Sequence, residues 1–556
     1  MADSLSIGVS ALSSLQRAIA TTGHNIANVN TEGYSKQSVI FGARPPQDIG
    51  VGYLGSGTQI ESIDRAFNQF LTSDVQTRTA SNSFFQLYST TAGRLDELLA
   101  DPSTSLSEAM DQFFAAAEAV SNSPTSLPER QVMLSEAETL VQRFQYVVGR
   151  VDDVATELNS RIETSVAEIN QLSENIAVLN REIANATARG TGVPNDLLDQ
   201  RDLLVTRLSG LVKTSTQPQE DGALNVFIGR GQPLIIGANA ETLGIETDPQ
   251  LSGTLRVTLT AGPSISADVS NFLTGGELGA ALSAAEELIE PTRRELNLLA
   301  AGFAETFNAI QEGGDDLQGV DGVPFFTEIE GVVKIAPGVD DGSPNSGNAA
   351  VTFTVTDVTQ LTGDSYELEY TAGGVTLKNL TTNTVTTLGG SPATVDGFEI
   401  TYDPLVPSPG AGANEGDAFI IDPVFQAARL ISVEIDDPGL IAAAADGQAA
   451  GNNENMLAMI ELQDQSLLKG GSTSFTDMYS SLVTDVAVRT QRAKSSAETE
   501  ETLLSSAIER QSSLQGVSLD EEAANLIRFQ QAYQAAAQIV AVAGEVFDTL
   551  IAATSR

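Results

Sequence analysis

Apolar residues recur every seven positions at both ends of this chain, and that pairing constrains its fold more than any other feature. Near the N-terminus Leu5, Leu12, Ile19 and Ile26 form one stripe, with Leu15, Thr22 and Val29 beside it. Near the C-terminus Leu519, Leu526, Tyr533, Val540 and Phe547 are again seven apart, flanked by Phe529, Ala536, Ala543 and Leu550. Seven-residue spacing draws a narrow seam along an α-helix. So narrow a seam does not sustain an isolated helix in water, so each helix needs a partner. The two can close an ordinary bundle within one chain, or they can pack on each other and on further copies. Periodicity leaves both arrangements open. The first helix should end near Asn28–Asn30, where Thr31-Glu32-Gly33-Tyr34 reads as a turn and Gly33 supplies a positive φ. Ser518 and Glu521 have capping-box spacing at the start of the last helix. Gly516 marks the stop of a preceding helix over roughly 473–513.

Between these ends the sequence changes character. Residues 75–190 read as helical throughout. Over 135–187 Leu158, Ile162, Val166, Ile169, Leu172, Ile176, Leu179 and Ile183 step by three and four, the spacing of a long hairpin arm. Such a helix is on the order of 75 Å long, with Arg189-Gly190 as its stop. Another helix is expected near 277–311. Residues 212–270 alternate like strands, as in Leu224-Asn225-Val226-Phe227-Ile228. Residues 331–422 are dense in Thr, Val and Gly, with turn signals at Gly373-Gly374, Gly389-Gly390 and Asp396-Gly397. The predicted fold class is mainly α with an inserted β domain: coiled-coil-like terminal helices, a long helical rod domain and an outward antiparallel β domain. The expected boundaries are 1–70 plus 512–556 for the terminal unit, 71–315 plus 424–511 for the rod with its β-rich excursion, and 316–423 for the insert.

Composition closes off several kinds of chemistry. Seventy-three acidic residues against 29 basic ones give a formal net charge of −44 over 556 residues. That balance repels nucleic-acid phosphates and anionic lipid surfaces. With no cysteine there are no disulfides, thiolate metal sites or thiol nucleophiles. The single histidine, His24, sits in a predicted packing helix without the companions a metal site or a catalytic triad needs. Gly50-Val51-Gly52-Tyr53-Leu54-Gly55 has dinucleotide-fingerprint spacing. It follows Pro45-Pro46 rather than a buried strand and opens no helix, so it reads as an extended loop. Asp315-Asp316 with Asp321, and Asp340-Asp341, lack calcium-loop spacing and read as solvated turns. No stretch reaches the ~18 consecutive apolar residues of a membrane span. Residues 1–16 carry neither the bases nor the apolar region of a secretory signal. The expectation is no catalysis, no cofactor, no metal and no membrane insertion.

Three blocks carry a resemblance. Asn25-Ile26-Ala27-Asn28-Val29-Asn30-Thr31-Glu32-Gly33-Tyr34-Ser35-Lys36-Gln37 resembles the N-terminal signature shared by flagellar rod, hook and hook-associated proteins. Its Gly-Tyr-Ser-Lys-Gln ending is similar to the hook-associated protein 1 form. Gly516-Val517-Ser518-Leu519-Asp520-Glu521-Glu522 and Leu526-Ile527-Arg528-Phe529-Gln530-Gln531-Ala532-Tyr533 resemble that family's C-terminal signature. Asn195-Asp196-Leu197-Leu198-Asp199-Gln200-Arg201-Asp202 is similar to a characteristic internal segment. The resemblance spans the chain except for the β insert.

It implies an extracellular structural protein at the hook–filament junction, exported unfolded by the flagellar type III apparatus without a cleaved signal. Implied partners are copies of itself in a ring, the hook protein, hook-associated protein 3, and an export chaperone on the C-terminal helix face of Leu526, Phe529 and Tyr533. The expected assembly interface comprises Leu5, Leu12, Leu15, Ile19, Ile26, Asn28, Gly33 and Tyr34 with Leu519, Leu526, Phe529, Tyr533, Val540, Phe547 and Leu550. Two other roles fit the same residues: a hook or rod subunit, which would polymerise alone, and a surface adhesin or binding module acting through the insert.

Overall fold

The computed structural model describes residues 2–48, 52–102, 104–190, 192–248, 253–261, 265–336, 345, 349–404 and 413–554. The first helix, α1 (Ala2–Ala27), is followed by an antiparallel ribbon of β1 (Gln37–Ala43) and β2 (Thr58–Arg65). The rod begins with α2 (Gln69–Ala100), whose first turn is capped by the Asn68 carboxamide accepting from the Phe70 and Leu71 N–H groups. It continues through α3 (Leu106–Asn122), α4 (Leu127–Ala188) and α5 (Asn195–Leu211). After the strands come α6 (Gly276–Ala284), α7 (Glu290–Glu312), the short α8 (Ala427–Leu430) and α9 (Glu454–Glu461), then α10 (Phe475–Gln515). The last helix is α11 (Leu519–Thr554).

At 62 residues α4 is about 93 Å long, more than the apolar steps over 135–187 predicted. It starts earlier because Met133 and Leu134 extend the buried stripe, and because Pro128 in its first turn has no N–H to satisfy. It stops at Arg189-Gly190 as expected, with Gly190 at φ +64°. Its buried face, from Met133 through Phe144, Val151, Ile162 and Ile176 to Ile183, packs on α3, α5 and α6. A π turn at Ala285–Ile289 joins α6 to α7, where Pro291 cannot donate to the helical ladder.

The excursion after α5 forms two antiparallel sheets. Strands β3 (Thr214–Pro218), β4 (Leu224–Ile228), β5 (Gln232–Ile236) and β6 (Asn239–Ala240) lie in that order. Strands β7 (Thr242–Thr247), β8 (Leu255–Ala261) and β9 (Ile265–Asp268) form the second, with β8 central. Two asparagines on α4 complete their backbone pairing. Asn180, fully buried, donates to the Leu224 and Gly237 carbonyls at 2.8 and 2.7 Å and accepts from the Leu224 N–H. Asn170 does the same for Leu243.

The insert is two antiparallel sheets. One has five strands in the order β10 (Val332–Ile335), β17 (Ala418–Asp422), β12 (Tyr366–Thr371), β13 (Gly374–Asn379), β14 (Val385–Thr387). The other is β11 (Val351–Val355), β16 (Phe398–Tyr402), β15 (Ala393–Val395). Leu368, Tyr370, Leu377, Phe398, Ile400 and Ile421 fill its core. Its two connections run side by side: the Thr327 N–H donates to the Ser432 carbonyl, and the Glu434 N–H to the Phe325 carbonyl. At this root Phe113, Phe303, Phe307, Phe325, Phe326 and Phe475 form a buried aromatic cluster, with Phe325 and Phe326 centroids 4.7 Å apart. Arg294 of α7 reaches out to Thr381 at 2.8 Å and lies 3.7 Å from Asp364.

Two expectations need correction. Asp315 and Asp316 are buried rather than solvated. Asp315 pairs with Ala444 across a two-residue bridge and accepts from the Gly447 N–H, while Asp316 accepts from the Gln318 and Val320 N–H groups. Intrachain N–H groups replace the water that the glycine-rich composition implied. Second, an 18-residue window in the α10–α11 stretch has a mean hydropathy of 1.5 and meets the length and composition of a membrane span. Alanine contributes much of that hydropathy without any long apolar run. Asp340 and Asp341 lie outside the described residues.

Candidate functional site: the terminal clasp

The two ends of the chain meet. Helices α1 and α11 run antiparallel, with Asn25 beside Glu522 (3.1 Å) and Gly8 beside Val540. The face that α1 buries is small and polar: Gly8, Ser10, Ser14, Ala18, Thr21, Thr22 and Asn25. A Cβ on Gly8 would sit 2.7 Å from the Val540 Cγ2, so glycine is what permits the close crossing there. The predicted seam lies to one side of this face. Leu12, Leu15, Ile19 and Ile26 are half-buried and Leu5 is exposed. On α11 Leu526, Phe529 and Val540 are half-buried, and Leu519, Tyr533 and Phe547 are exposed; the Leu550 side chain lies outside the described residues. Phe529 meets Phe41 of the ribbon at 6.3 Å between centroids. Ile527, Ile539, Val542, Val546 and Ile551 add to the open apolar surface, with a groove of about 370 Å³ beside Ser4, Ile539 and Val546. The heptad stripes are thus only partly covered within one chain, and both helices keep further apolar side chains in the open.

Asn25 organises the turn after α1. Its Oδ1 accepts from the Tyr34 hydroxyl (2.7 Å) and the Gln37 N–H (3.0 Å), and its Nδ2 donates to the Gln37 carbonyl (2.9 Å) and the Glu522 carboxylate. Asn28 donates to the His24 carbonyl and accepts from Thr31. Gly33 takes φ +77° as expected, where a Cβ would lie 3.0 Å from the Leu203 Cβ. Burial, reinforced by Asp196, Asp199 and Glu522, pushes the Tyr34 hydroxyl well above its usual range. Glu521, given a capping-box role by its spacing, instead accepts from Lys36 at 2.6 Å, which holds its carboxyl below the usual carboxylate range.

The third block supplies the floor. Arg65, at the end of β2, donates to Asp199 (2.7 Å) and Asp202 (2.6 Å) of α5, and all three side chains are largely buried. Arg201 pairs with Asp202 (3.0 Å) and donates to the Gly222 carbonyl. The Ser35 N–H donates to Asp199 (2.9 Å), Gln37 Nε2 to Asp196 (2.8 Å), and His24 lies 3.5 Å from Asp196. Asn195 donates to the Ile63 carbonyl, and Arg207 pairs with Glu32. Burial raises the Asp199 carboxyl despite Arg65 and the Ser35 N–H, so desolvation outweighs its pairing.

Thus the three signature blocks, separate in sequence, form one clasp. Arg65, Asp199 and Asp202 at its centre were not among the expected interface residues. The spacing of Asp196, Asp199 and Asp202, which sets three carboxylates near one face of α5, was the available signal. Charge was another: residues 1–70 and 512–556 hold ten acidic and six basic residues, against sixty-three and twenty-three in the remainder. Asp315, Asp321 and Asp446 are the one carboxylate group among the described residues close enough to share a metal ion, their oxygens within 4.8 Å. The Gly50–Gly55 segment, where described, forms a two-residue pairing of Tyr53-Leu54 with Gln47-Asp48, followed by a strand rather than a helix.

Comparison with known proteins agrees with this architecture. Family models match at residues 92–326 (the flagellar hook-associated protein FlgK helical domain), 5–34 (flagella basal body rod protein) and 512–553 (flagellar basal body rod FlgEFG protein C-terminal). Flagellar hook-associated protein 1 of Escherichia coli K12 is 31% identical over 99% of this chain and 100% of its own length. The chain belongs to the flagellar hook-associated protein 1 family. A Salmonella typhimurium member of this family is 30% identical over 99% of the chain and all of its own, and the Bacillus subtilis member 26% over 97% and 96%. The flagellar hook junction protein FlgK from Burkholderia pseudomallei shares the hook-associated protein 1 fold, with a TM-score of 0.71 at 21% identity over 80% of this chain and 100% of that one.

Proposed function

We propose that this chain is a structural, non-catalytic subunit of the extracellular bacterial flagellum. It joins hook to filament and acts by pairing its terminal helices with those of neighbouring copies. One observation carries this reading: the paired α1 and α11 leave apolar side chains exposed, Leu5 and Val9 on α1 and Ile527, Ile539, Val542, Val546, Phe547 and Ile551 on α11. Exposed apolar side chains on both arms are a surface that further copies cover. Burial of that surface then drives ordering of the arms and association together. A narrow stripe also lets the arms stay unfolded during export, because it cannot offset the ordering entropy of a lone chain. The partners are copies of this chain in a ring, hook protein below, and hook-associated protein 3 above. An export chaperone covers the face of Leu526, Phe529 and Tyr533 before assembly.

The test is electron microscopy of cells lacking the chain, with flagellin assayed in the medium, after complementation with wild type or Leu526→Asp. Bare hooks and shed flagellin are expected without the chain. Leu526→Asp should not restore filaments, since it places a charge among apolar contacts at a cost of several kcal/mol, while the insert stays folded. Absent hooks would move the assignment to a rod or hook subunit, and filaments restored by Leu526→Asp would refute the pairing mechanism.

A further inference from the structure

The arms are joined covalently to the rod at two short non-helical breaks, residues 66–68 and 516–518. Neither break fixes a direction by itself. The direction in which the arms leave the rod is therefore set by non-covalent contacts. Apart from the Lys36 N–H, which donates to the Gln515 carbonyl at the end of α10, the side-chain contacts between arms and rod described above land on α5: Asp196, Asp199 and Asp202 receive His24, Ser35, Gln37 and Arg65, while Asn195 and Arg207 reach Ile63 and Glu32. Gly33 packs on Leu203 of the same helix.

The chemistry of these contacts is that of a locator rather than a glue. Burying Arg65, Asp199 and Asp202 strips water from three charges, and a buried ion pair contributes little net stability while being exacting in geometry. The two Arg65 nitrogens grip two different carboxylates, which fixes the guanidinium plane. Asp199 in turn binds Arg65 at the end of β2 and the Ser35 N–H in the turn just before β1.

We propose that the first turns of α5 are a docking platform, with Asp199 and Asp202 as positioning residues that receive Arg65 and aim the paired arms in one direction when a subunit enters the assembly. This rests on the junction reading above. The platform belongs to the rod; a single chain already rests its arms on it, and neighbouring copies that cover the exposed apolar side chains hold them there.

The test places Asp199→Asn, Arg65→Gln and the double variant in cells lacking the chain, beside Leu526→Asp. It reads filaments by electron microscopy, flagellin in the medium, and thermal melting of the purified full-length chain. Each single variant should raise shed flagellin about tenfold, and the double no further, since both break one contact. The melting temperature of the purified chain should stay within about 2 °C of wild type, a result a rod-stabilising role would not give. Full filament retention by both single variants, additive loss in the double, or a large fall in melting temperature overturns the platform. If Leu526→Asp sheds flagellin and the Asp199 and Arg65 variants do not, the platform alone has failed. If Leu526→Asp also retains filaments, the junction reading has failed.

Discussion

Two asparagines make three hydrogen bonds each in very different surroundings, and replacing each with alanine separates bond number from burial. Asn308 of α7 accepts from the Phe325 and Phe326 N–H groups at 2.9 Å and donates to the Phe326 carbonyl at 2.8 Å, all inside the aromatic cluster. Asn379, half-buried at the end of β13, accepts from the Thr381 and Thr382 N–H groups at 2.9 Å at an exposed turn of the insert and donates to the buried Asp364 at 2.8 Å. Asn308→Ala strands two buried N–H groups and a carbonyl. Each orphan costs about 1–3 kcal/mol, so the loss should be about 4–5 kcal/mol. Asn379→Ala leaves the exposed Thr381 and Thr382 N–H groups to water and the Asp364 carboxylate beside Arg294, and should cost about 1 kcal/mol. At roughly 2–4 °C per kcal/mol, calorimetry of the full-length chain should show a transition lowered by about 10 °C for Asn308→Ala and by no more than about 3 °C for Asn379→Ala. Equal shifts would mean that the root of the insert is hydrated, and would refute the account of the aromatic cluster as its dry anchor.

Limited proteolysis of the dilute chain, read by mass spectrometry, should release peptides from roughly residues 1–65 and 515–556 before any rod cleavage, because few apolar side chains of the arms are fully buried while those of the rod are; equal resistance of ends and middle would contradict that. Burial pushes the Asp422 carboxyl up to about 6 from 3.8, against the pull of Lys334. The folded state therefore holds this proton more tightly, and the associated stability is full below about pH 4 and lost as pH rises through about 6, by up to roughly a hundredfold in the folding equilibrium. Asp422→Asn should flatten the stability profile between those pH values and raise stability at pH 7 relative to wild type; an unchanged profile would assign the pH dependence to other carboxylates.

Long helices, the β excursion and the insert were legible because periodicity reports them directly. The steps from Leu158 to Ile183 place a buried stripe wherever the partner is, and α4 follows them. The packing of α1 was not legible in the same way. A heptad count sees Leu5, Leu12, Ile19 and Ile26, whereas the face α1 buries is Gly8, Ser14, Ala18 and Asn25, of which Gly8 and Asn25 meet α11, because close approach favours small side chains. The clasp was legible only as three separate strings. That Asn25, Asp199 and Glu522 share one site is a product of tertiary folding over separations of hundreds of residues, which no local pattern encodes. The burial of Asp315 and Asp316 was hidden for a related reason: backbone N–H groups satisfy them, and backbone donors leave no trace in composition.

The adjacency of the insert's two connections has a consequence for how such a chain can diverge. The Thr327–Ser432 and Phe325–Glu434 backbone pairs close the insert at its base, and beyond them it meets the rod again where Arg294 reaches Thr381 and Asp364 and where the Gly470 N–H donates to the Thr359 carbonyl. A lineage can enlarge or shrink the strands of the insert that face away from α7, as long as the base and these contacts with α7 and Gly470 are kept. The fixed points for such change are therefore two, the paired connections at the base and the patch on α7, and a foreign domain with closely spaced ends grafted at that base would leave Arg294 without its Thr381 and Asp364 partners.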